Sequence, residues 1–370
     1  MDFTTVAPAH VARPLRLEPF AAVMLAPQRV ADPASARALA RPYRDVAARL
    51  EQWIARGDAV AVQQPALFLH EYTSGGITVR GLVGALDVSE RTERLDESGV
   101  WPHEAVHPEQ VAELARRMEE MRLNPAPILL VSRGTVRGRE LLEQVASTPP
   151  DWSYIDRAGQ RQRLWAVRDA GTVAALQAEV ASAPCLLADG HHRYAAYLQL
   201  QEAHPGTSWD HGLAMVVDQS DTPLFLGPIH RVVAGIGLEA LAALCRGLAV
   251  DVQLTDRSGA LDSLDPATIL ATDGRTWLSL SRPDDAKGPL VEWVATDLAT
   301  ALPDHAVVTF QHSVDEVLER AGDSTVGLIL PAMKYDDIFE ILTAGELLPE
   351  KATSFQPKPS IGTIMRPVPE

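Results

Sequence analysis

The pattern of apolar and polar residues at positions 183–201 predicts a short buried strand, a tight turn and a helix. Residues 185–188 form an apolar run whose length fits a buried strand. Asp189 and Gly190 then favour a turn, because glycine adopts positive φ without strain. From His191 onward, apolar side chains recur at helical spacing. A dense polar cluster, residues 189–193 (the box), therefore lies where the strand meets the helix.

Strand-like and helical patterns alternate along the rest of the chain, and their order predicts an α/β (α+β) protein with a mixed sheet. The predicted strands are 66–72, 77–86, 126–131, 211–217, 306–310 and 326–330, with a hairpin over 152–167. The predicted helices are 32–40, 43–56, 108–122, 172–183, 238–248, 314–320 and 335–343. The helix over 108–122 has an apolar stripe that includes Leu114 and Met118.

The order of these elements predicts three segments in the chain. They are an N-terminal arm and helix (1–58), a core domain that carries the box (59–235), and a C-terminal portion of βαβα order (236–370). We expect this last portion to return to the core site.

Composition and charge narrow the classes of function. The chain has 370 residues and a net charge of −16, which argues against general nucleic-acid binding, since phosphate backbones require a basic face. Two cysteines in apolar surroundings fit a reducing cytoplasm. No apolar run approaches 18 residues, and residues 1–15 lack the apolar core of a signal peptide, so the predicted location is cytoplasmic, without membrane contact. The oligomeric state is not determined by these features.

The box has the chemistry of an anion site. The first turn of a helix offers unpaired N–H groups and a partial positive charge, and Gly190 permits close approach of a ligand to the backbone. His192 and Arg193 add donors suited to a phosphate. Asp189 is a candidate ligand for Mg²⁺ or a partner for a substrate hydroxyl. The competing interpretation is a capped turn, with Asp189 as helix N-cap and solvated side chains around it.

Residues 101–107 supply a candidate general base. Glu104 lies beside His103, and a carboxylate near a neutral histidine can accept a proton from a substrate. The letters of residues 103–107 also match the H-E-x-x-H zinc motif, which has to lie within a helix. Pro108 disfavours a helix at His107 and so argues against a metalloprotease. A polar loop without chemistry remains the alternative.

Two further stretches carry cations or histidine. His230 and Arg231 follow a Gly-Pro turn, and Lys351, Thr353 and Lys358 lie close together near the C-terminus of an acidic chain. All five are candidate phosphate contacts. An ordinary strand and a solvated tail are the alternatives.

Five segments together resemble the bacterial and archaeal domain of unknown function 1015, whose members carry an Asp-Gly-His-His-Arg signature. The resemblance covers most of the chain from about residue 43. Two departures are Ala352, where the family usually has serine, and the short Arg-Pro-Tyr-Arg-Asp stretch at 41–45, where it has a longer N-terminal segment. The segments that carry it are 102–104, 164–167, 188–194, 229–231 and 348–358.

A more distant similarity links the box to the phosphate-binding element of the ParB and sulfiredoxin superfamily, which includes free serine kinases. This resemblance implies a nucleotide-dependent phosphotransferase for a small hydroxylated metabolite, with free serine as a candidate, that uses ATP or ADP and Mg²⁺. Glu104 would be the base, Asp189 and His191 would complete the catalytic set, and the rest of the box would hold phosphate. A non-catalytic nucleotide-binding or phosphometabolite-binding protein is one alternative. The other is a metal-dependent hydrolase that uses Asp189, His103 and the histidines of the box.

Overall fold

A large mixed sheet forms the centre of the first of two units in a computed structural model of the chain. The structure describes residues 5–40, 46–257, 259, 264–283, 286 and 288–369. Unit 1 comprises Met1–Leu224 and Pro357–Glu370, and unit 2 comprises Phe225–Gln356. The three segments predicted from sequence stay a prediction of how the chain is divided.

Strands are distributed along almost the whole sequence of unit 1. Its strands are β1 (His10–Val11), β2 (Leu17–Glu18), β3 (Phe20–Leu25), β4 (Ala59–Ser74), β5 (Ile77–Asp87), β6 (Arg91–Thr92), β7 (Val100–Trp101), β8 (Leu123–Asn124), β9 (Ile128–Ser132), β10 (Trp152–Ile155), β11 (Arg161–Val167), β12 (Cys185–Asp189) and β13 (His211–Asp218). Its helices are α1 (Pro33–Ala40), α2 (Val46–Ala55), α3 (Pro108–Met121), α4 (Val136–Ala146), α5 (Ala170–Ala181) and α6 (His191–Ala203).

The main sheet of unit 1 runs in the order β10-β11-β4-β5-β13-β9-β12-β7, and β2 and β3 pair with β5 and β4. The β13–β9 and β12–β7 pairs are parallel, and the other pairs are antiparallel. The predicted mixed sheet is therefore confirmed. The strand that leads into the box, β12, lies between β9 and β7, so the turn at Gly190 projects from the interior of the sheet rather than from its edge.

Helices α3 and α6 pack against each other over this part of the sheet. Met118 of α3, Tyr194 of α6 and Leu187 of β12 are buried members of one apolar cluster. Burial of large apolar side chains is the main stabilising term of such a layer. It fixes the N-terminus of α6 against the N-terminal end of α3.

Unit 2 has an antiparallel sheet of its own, in the order β16-β18-β17-β20-β15-β19, and a separate β14–β21 pair. The predicted βαβα order is present over residues 307–343. Its two strands, β19 and β20, do not pair with each other, because β15 lies between them and pairs with both. The three strands β16–β18 were not predicted. The strands are β14 (Phe225–Pro228), β15 (His230–Ala234), β16 (Asp251–Thr255), β17 (Thr268–Thr272), β18 (Trp277–Ser281), β19 (Val307–Gln311), β20 (Thr325–Ile329) and β21 (Thr353–Gln356).

The helices of unit 2 are shorter than those of unit 1. They are α7 (Leu238–Gly247), α8 (Leu290–Trp293), α9 (Val314–Leu318) and α10 (Tyr335–Thr343), and residues 294–301 continue α8 through a π-helical segment. After β21 the chain belongs to unit 1 again, where β22 (Arg366–Pro367) pairs with β8.

Candidate functional site

The predicted strand, turn and helix at the box are confirmed. Strand β12 ends at Asp189, Gly190 has φ +94°, and α6 begins at His191. A Cβ at position 190 would lie 3.0 Å from side-chain atoms of Ile128 and Arg193, so the turn favours glycine for both conformation and space. Gly190 is the N-cap of α6, and the competing interpretation that Asp189 caps this helix is wrong.

Tyr194 anchors the first turn of α6 to the N-terminal arm. It is fully buried, its hydroxyl accepts from the Val11 N–H at 3.0 Å, and the same hydroxyl donates to the Ala9 carbonyl at 2.9 Å. Burial raises the pKa of this phenol, so it is neutral at physiological pH. The arm therefore helps to hold the helix N-terminus in place.

The loop before α3 brings the predicted base to the box. Glu104 Oε2 lies 3.9 Å from His191 Nδ1, and Glu104 Oε1 lies 3.9 Å from His103 Nε2. The rings of His103 and His191 meet edge to face, with centroids 4.5 Å apart. Although 85 positions separate Glu104 from Asp189 in sequence, the fold places the carboxylate of Glu104 at the first residue of the box helix.

His103 is an uncharged member of this group at neutral pH. Its side chain is fully buried, and burial lowers its pKa to about 4, against a hydrogen bond with Leu187 that raises it. A neutral imidazole adds no positive charge beside the Glu104 carboxylate. Glu104 itself is largely buried, with 12% of its side chain exposed.

The segment between Pro102 and His107 is not helical, and α3 begins at Pro108. Residues 103–107 therefore match the zinc motif in sequence but not in structure. Pro108 had predicted that they would not be helical. His107 was not among the predicted site residues, yet its backbone N–H lies 3.2 Å from His192 Nε2 and its ring stacks on that of His192. The sequence signal that could have identified His107 is its position as the second histidine of the H-E-x-x-H match.

Asp189 is held by two cationic side chains. Arg193 Nη2 lies 2.5 Å from Asp189 Oδ2, and Lys358 Nζ contacts Asp189 Oδ1. Arg193 also donates to the carbonyls of Ala126 and Pro127, at 3.2 and 2.6 Å. The guanidinium of Arg193 thus braces the turn, and Lys358, with 44% of its side chain exposed, is the more accessible cation.

Side-chain hydrogen bonds fix the segment that carries Lys358. Tyr72 donates to the Pro357 carbonyl at 2.7 Å, and Gln160 donates to the Lys358 carbonyl at 3.0 Å. The side chain of Gln162 donates to that of Gln160 at 3.1 Å. These hydrogen bonds hold the backbone at Pro357 and Lys358 in place, and from there the Lys358 amine contacts Asp189.

The family model described as "Protein of unknown function (DUF1015)" matches residues 3–310. The chain belongs to the DUF1015 family. No curated protein matches this sequence. The relation of the box to the ParB and sulfiredoxin superfamily stays a prediction.

Several solved structures resemble this DUF1015 protein at low identity. SbnI with a C-terminal truncation, from Staphylococcus aureus, matches with 14% identity and a TM-score of 0.42, over 70% of this chain and 79% of that one. A free serine kinase in complex with AMP matches with 13% identity and a TM-score of 0.42, over 74% and 86% of the two chains. A conserved hypothetical protein from Pyrococcus furiosus matches with 12% identity and a TM-score of 0.39, over 71% and 90%. Similarity at this level carries no argument about the chemistry of the DUF1015 chain.

Four predicted site residues of the DUF1015 protein lie in unit 2. Arg231 donates to the Lys351 carbonyl at 3.0 Å, and its guanidinium lies over the ring of Phe310. His230 and Thr353 are buried, in β15 and β21 respectively. Their predicted role as phosphate contacts stays a prediction.

No group of three or more His, Cys, Asp or Glu side chains is placed to hold a metal ion within the part of the chain that the structure describes. Asp189 is paired with two cations, so its side chain does not fit a resident divalent ion as it stands. The Mg²⁺ predicted at Asp189 stays a prediction. Among the described residues, no helix has the length and apolar character needed to cross a membrane.

Proposed function

We propose that this protein is a nucleotide-dependent phosphotransferase that acts on a small hydroxylated metabolite, with free serine as the first candidate. The observation that carries the proposal is the position of Glu104, whose carboxylate lies 3.9 Å from Nδ1 of His191, the first residue of α6. A proton acceptor and an anion-binding helix N-terminus are thus adjacent, as phosphoryl transfer to a hydroxyl requires.

Glu104 is the proposed base. The substrate hydroxyl gives its proton to the Glu104 carboxylate, and its oxygen forms a bond to the terminal phosphorus of ATP or ADP. The bond between that phosphorus and the bridging oxygen breaks, and ADP or AMP leaves. Neutral His103 supports this assignment, because it neither competes for the role of acid nor pairs with the carboxylate as a cation.

The phosphates are proposed to bind at the start of α6. The backbone N–H groups after Gly190, the imidazole of His192 and the amine of Lys358 supply donors and positive charge. A divalent cation bound to the phosphates would offset more of their charge. Phosphoryl transfer depends mainly on such positioning and charge compensation, so a single carboxylate suffices as the base.

The test is transfer of labelled phosphate from ATP or ADP to a panel of hydroxylated amino acids, serine included. We expect Glu104→Gln to lower kcat by about 10²–10⁴-fold, because it removes the proton acceptor and keeps the side-chain volume. Stabilisation of the folded protein by nucleotide should survive this change. Glu109→Gln is the matched control: Glu109 is exposed in the first turn of α3, and its loss should leave turnover unchanged.

Two other results of this experiment would contradict the proposed function. Nucleotide-induced stabilisation without transfer to any member of the panel would favour the alternative of a non-catalytic binding protein. Equal turnover by wild type and Glu104→Gln would remove Glu104 from the chemistry.

A further inference from the structure

A cavity of about 590 Å³ adjoins the box in unit 1. Its walls come from α1, from α3, from the turn before β9 and from the segment after β21. The walls are mainly apolar, and the volume falls within the range of roughly 300–1,000 Å³ that small-molecule sites occupy. The apolar side chains on which the argument depends are Leu39, Leu114, Met118, Met121, Leu129 and Ile361.

Charged groups interrupt this apolar lining where the cavity meets the box. Asp189, Arg193 and Lys358 all line it, and both cations contact Asp189. A ligand of this cavity therefore has an apolar body and an anionic part that reaches Lys358. A nucleoside phosphate has this division, because the two faces of its base are apolar and its phosphates carry the charge.

Arg117 is the remaining charged residue of the lining. Its Nη2 pairs with Glu113 one turn earlier in α3. Its Nε is buried, and no described residue accepts a hydrogen bond from it. Buried donors are nearly always paired, and Nε has no contact with solvent as the side chain stands, so a ligand reaches this N–H when the Arg117 side chain turns toward the cavity. An acyl chain offers no such acceptor, whereas the ring nitrogens and carbonyls of a nucleobase do.

We propose that the cavity takes the nucleobase and sugar of a nucleoside diphosphate or triphosphate, and that Arg117 recognises the base by donating from Nε to an acceptor on its edge. The flexible thioethers of Met118 and Met121 pack on the face of the ring. Lys358 pairs with the phosphates. This site rests on the proposed function, because it takes the ligand of the cavity to be the phosphoryl donor.

Calorimetric titration separates recognition of the base from recognition of the phosphates. ADP is one probe, and inorganic tripolyphosphate, which lacks a base, is the other. We expect Arg117→Met to weaken ADP binding about tenfold and to leave the Kd of tripolyphosphate unchanged. Arg117→Lys should behave in the same way, because lysine keeps the charge and lacks Nε. Lys358→Met should weaken the binding of both probes.

Arg116→Met is the matched control, since Arg116 is the exposed neighbour of Arg117 on the same helix. We expect it to bind both probes as the wild type does. The nucleobase site is overturned if the two Arg117 variants bind ADP like the wild type, if they weaken both probes equally, or if the wild type binds no ADP.

The same variants distinguish this site from the proposed function. If ADP binding follows the expected pattern and no metabolite is phosphorylated, the nucleobase site holds and the phosphotransferase fails. If transfer proceeds and Arg117→Met leaves the KM for the nucleotide unchanged, the phosphotransferase holds and the nucleobase site fails.

Discussion

Each unit of this protein holds a buried histidine whose pKa burial lowers to about 4, His103 in unit 1 and His230 in unit 2. Each histidine also has a glutamate nearby, Glu104 and Glu316. In unit 2 the partners are mainly backbone groups. His230 Nδ1 accepts from the Leu330 N–H at 3.2 Å, and Glu316 accepts from the His312 N–H at 2.8 Å.

In unit 1 the corresponding side chains gather around one another. The carboxylate of Glu104 lies between the imidazoles of His103 and His191, at the N-terminus of α6. Polar side chains that bind the backbone of their own unit stabilise that unit. Polar side chains grouped at a helix N-terminus can instead act on a ligand, and this contrast is why we place the chemistry in unit 1.

The largest expected effect concerns stability at low pH. The pKa values of His70 and His103 in unit 1 and of His230 in unit 2 are lowered from 6.5 to about 4, in each case chiefly by burial. Below pH 6.5 the unfolded chain binds protons that the native chain does not, so stability is full above pH 6.5 and falls as the pH drops toward 4. The loss is up to about 3 kcal/mol for each histidine, and unit 1 should lose about twice as much as unit 2.

Hydrogen exchange at pH 7 and pH 4.5 can measure this difference. We expect the amides of β13 in unit 1 to lose more protection than those of β20 in unit 2. Burial also lowers the pKa of His211, at the start of β13, and so adds to the loss in unit 1. A greater loss of protection in β20 would contradict the comparison.

The second effect concerns turnover. We expect His191→Asn to lower kcat about 100-fold, or about 2.7 kcal/mol in activation free energy, because its ring contacts the proposed base. The melting temperature should fall as well, because the buried His191 Nε2 accepts from the His103 N–H at 3.4 Å. His230→Asn also removes an acceptor, that of the buried Leu330 N–H, and should destabilise unit 2 by about 1–3 kcal/mol, but without the loss of kcat.

Turnover by the folded fraction of His230→Asn is expected to match the wild type. Steady-state kinetics and thermal unfolding of the two variants check both parts of this prediction. A large loss of kcat in folded His230→Asn would assign His230 to the phosphate site that its sequence suggested.

The smallest effect concerns helix caps. Thr135 caps α4 by accepting from the Gly138 N–H at 2.9 Å, and it also donates to Glu179. Ser313 caps the five-residue helix α9 by accepting from the Glu316 N–H at 3.2 Å. We expect Thr135→Ala to lower the free energy of unfolding by about 1 kcal/mol, and Ser313→Ala by less.

Urea denaturation of the two alanine variants measures this difference. Both should retain the turnover of the wild type, since neither residue lies at the box. A larger loss from Ser313→Ala would show that unit 2 limits the stability of the chain.

Elements with a strong local pattern could be predicted from the sequence. The box was predicted from an apolar run, an Asp-Gly turn and helical spacing, and β12, Gly190 and α6 follow that order. The hairpin of β4 and β5 and the helix α3 were predicted for the same reason. Local periodicity decides such elements, because each buries one regular face.

The features that depend on distant contacts could not be predicted. Strands β16–β18 have only five residues each, which is a short run to separate from the loops around it, and pairing with β20 and with one another defines them. Leu114 was placed correctly on the apolar stripe of α3, but it lines the cavity. A core face and a cavity wall have the same sequence pattern, since both are apolar, and only the tertiary fold distinguishes them.

The site shows the same limit. Glu104 was proposed as a base from its residue type, but no pattern could show that its loop meets the box. The role of Arg117 had no sequence signal, because an arginine four residues after a glutamate is typical of an exposed helix face. Lys358 was predicted to contact phosphate, and its pairing with Asp189 became visible only in the structure.

The membership of residues 357–370 in unit 1 has a consequence for the order in which the protein is made. All of Phe225–Gln356 must leave the ribosome before Lys358 can reach Asp189. During synthesis, the later unit has its whole sequence available while the earlier one still lacks its last strand. A nascent chain therefore carries the box for some time without the lysine that contacts it, and the proposed nucleotide site is complete only after translation has passed this point.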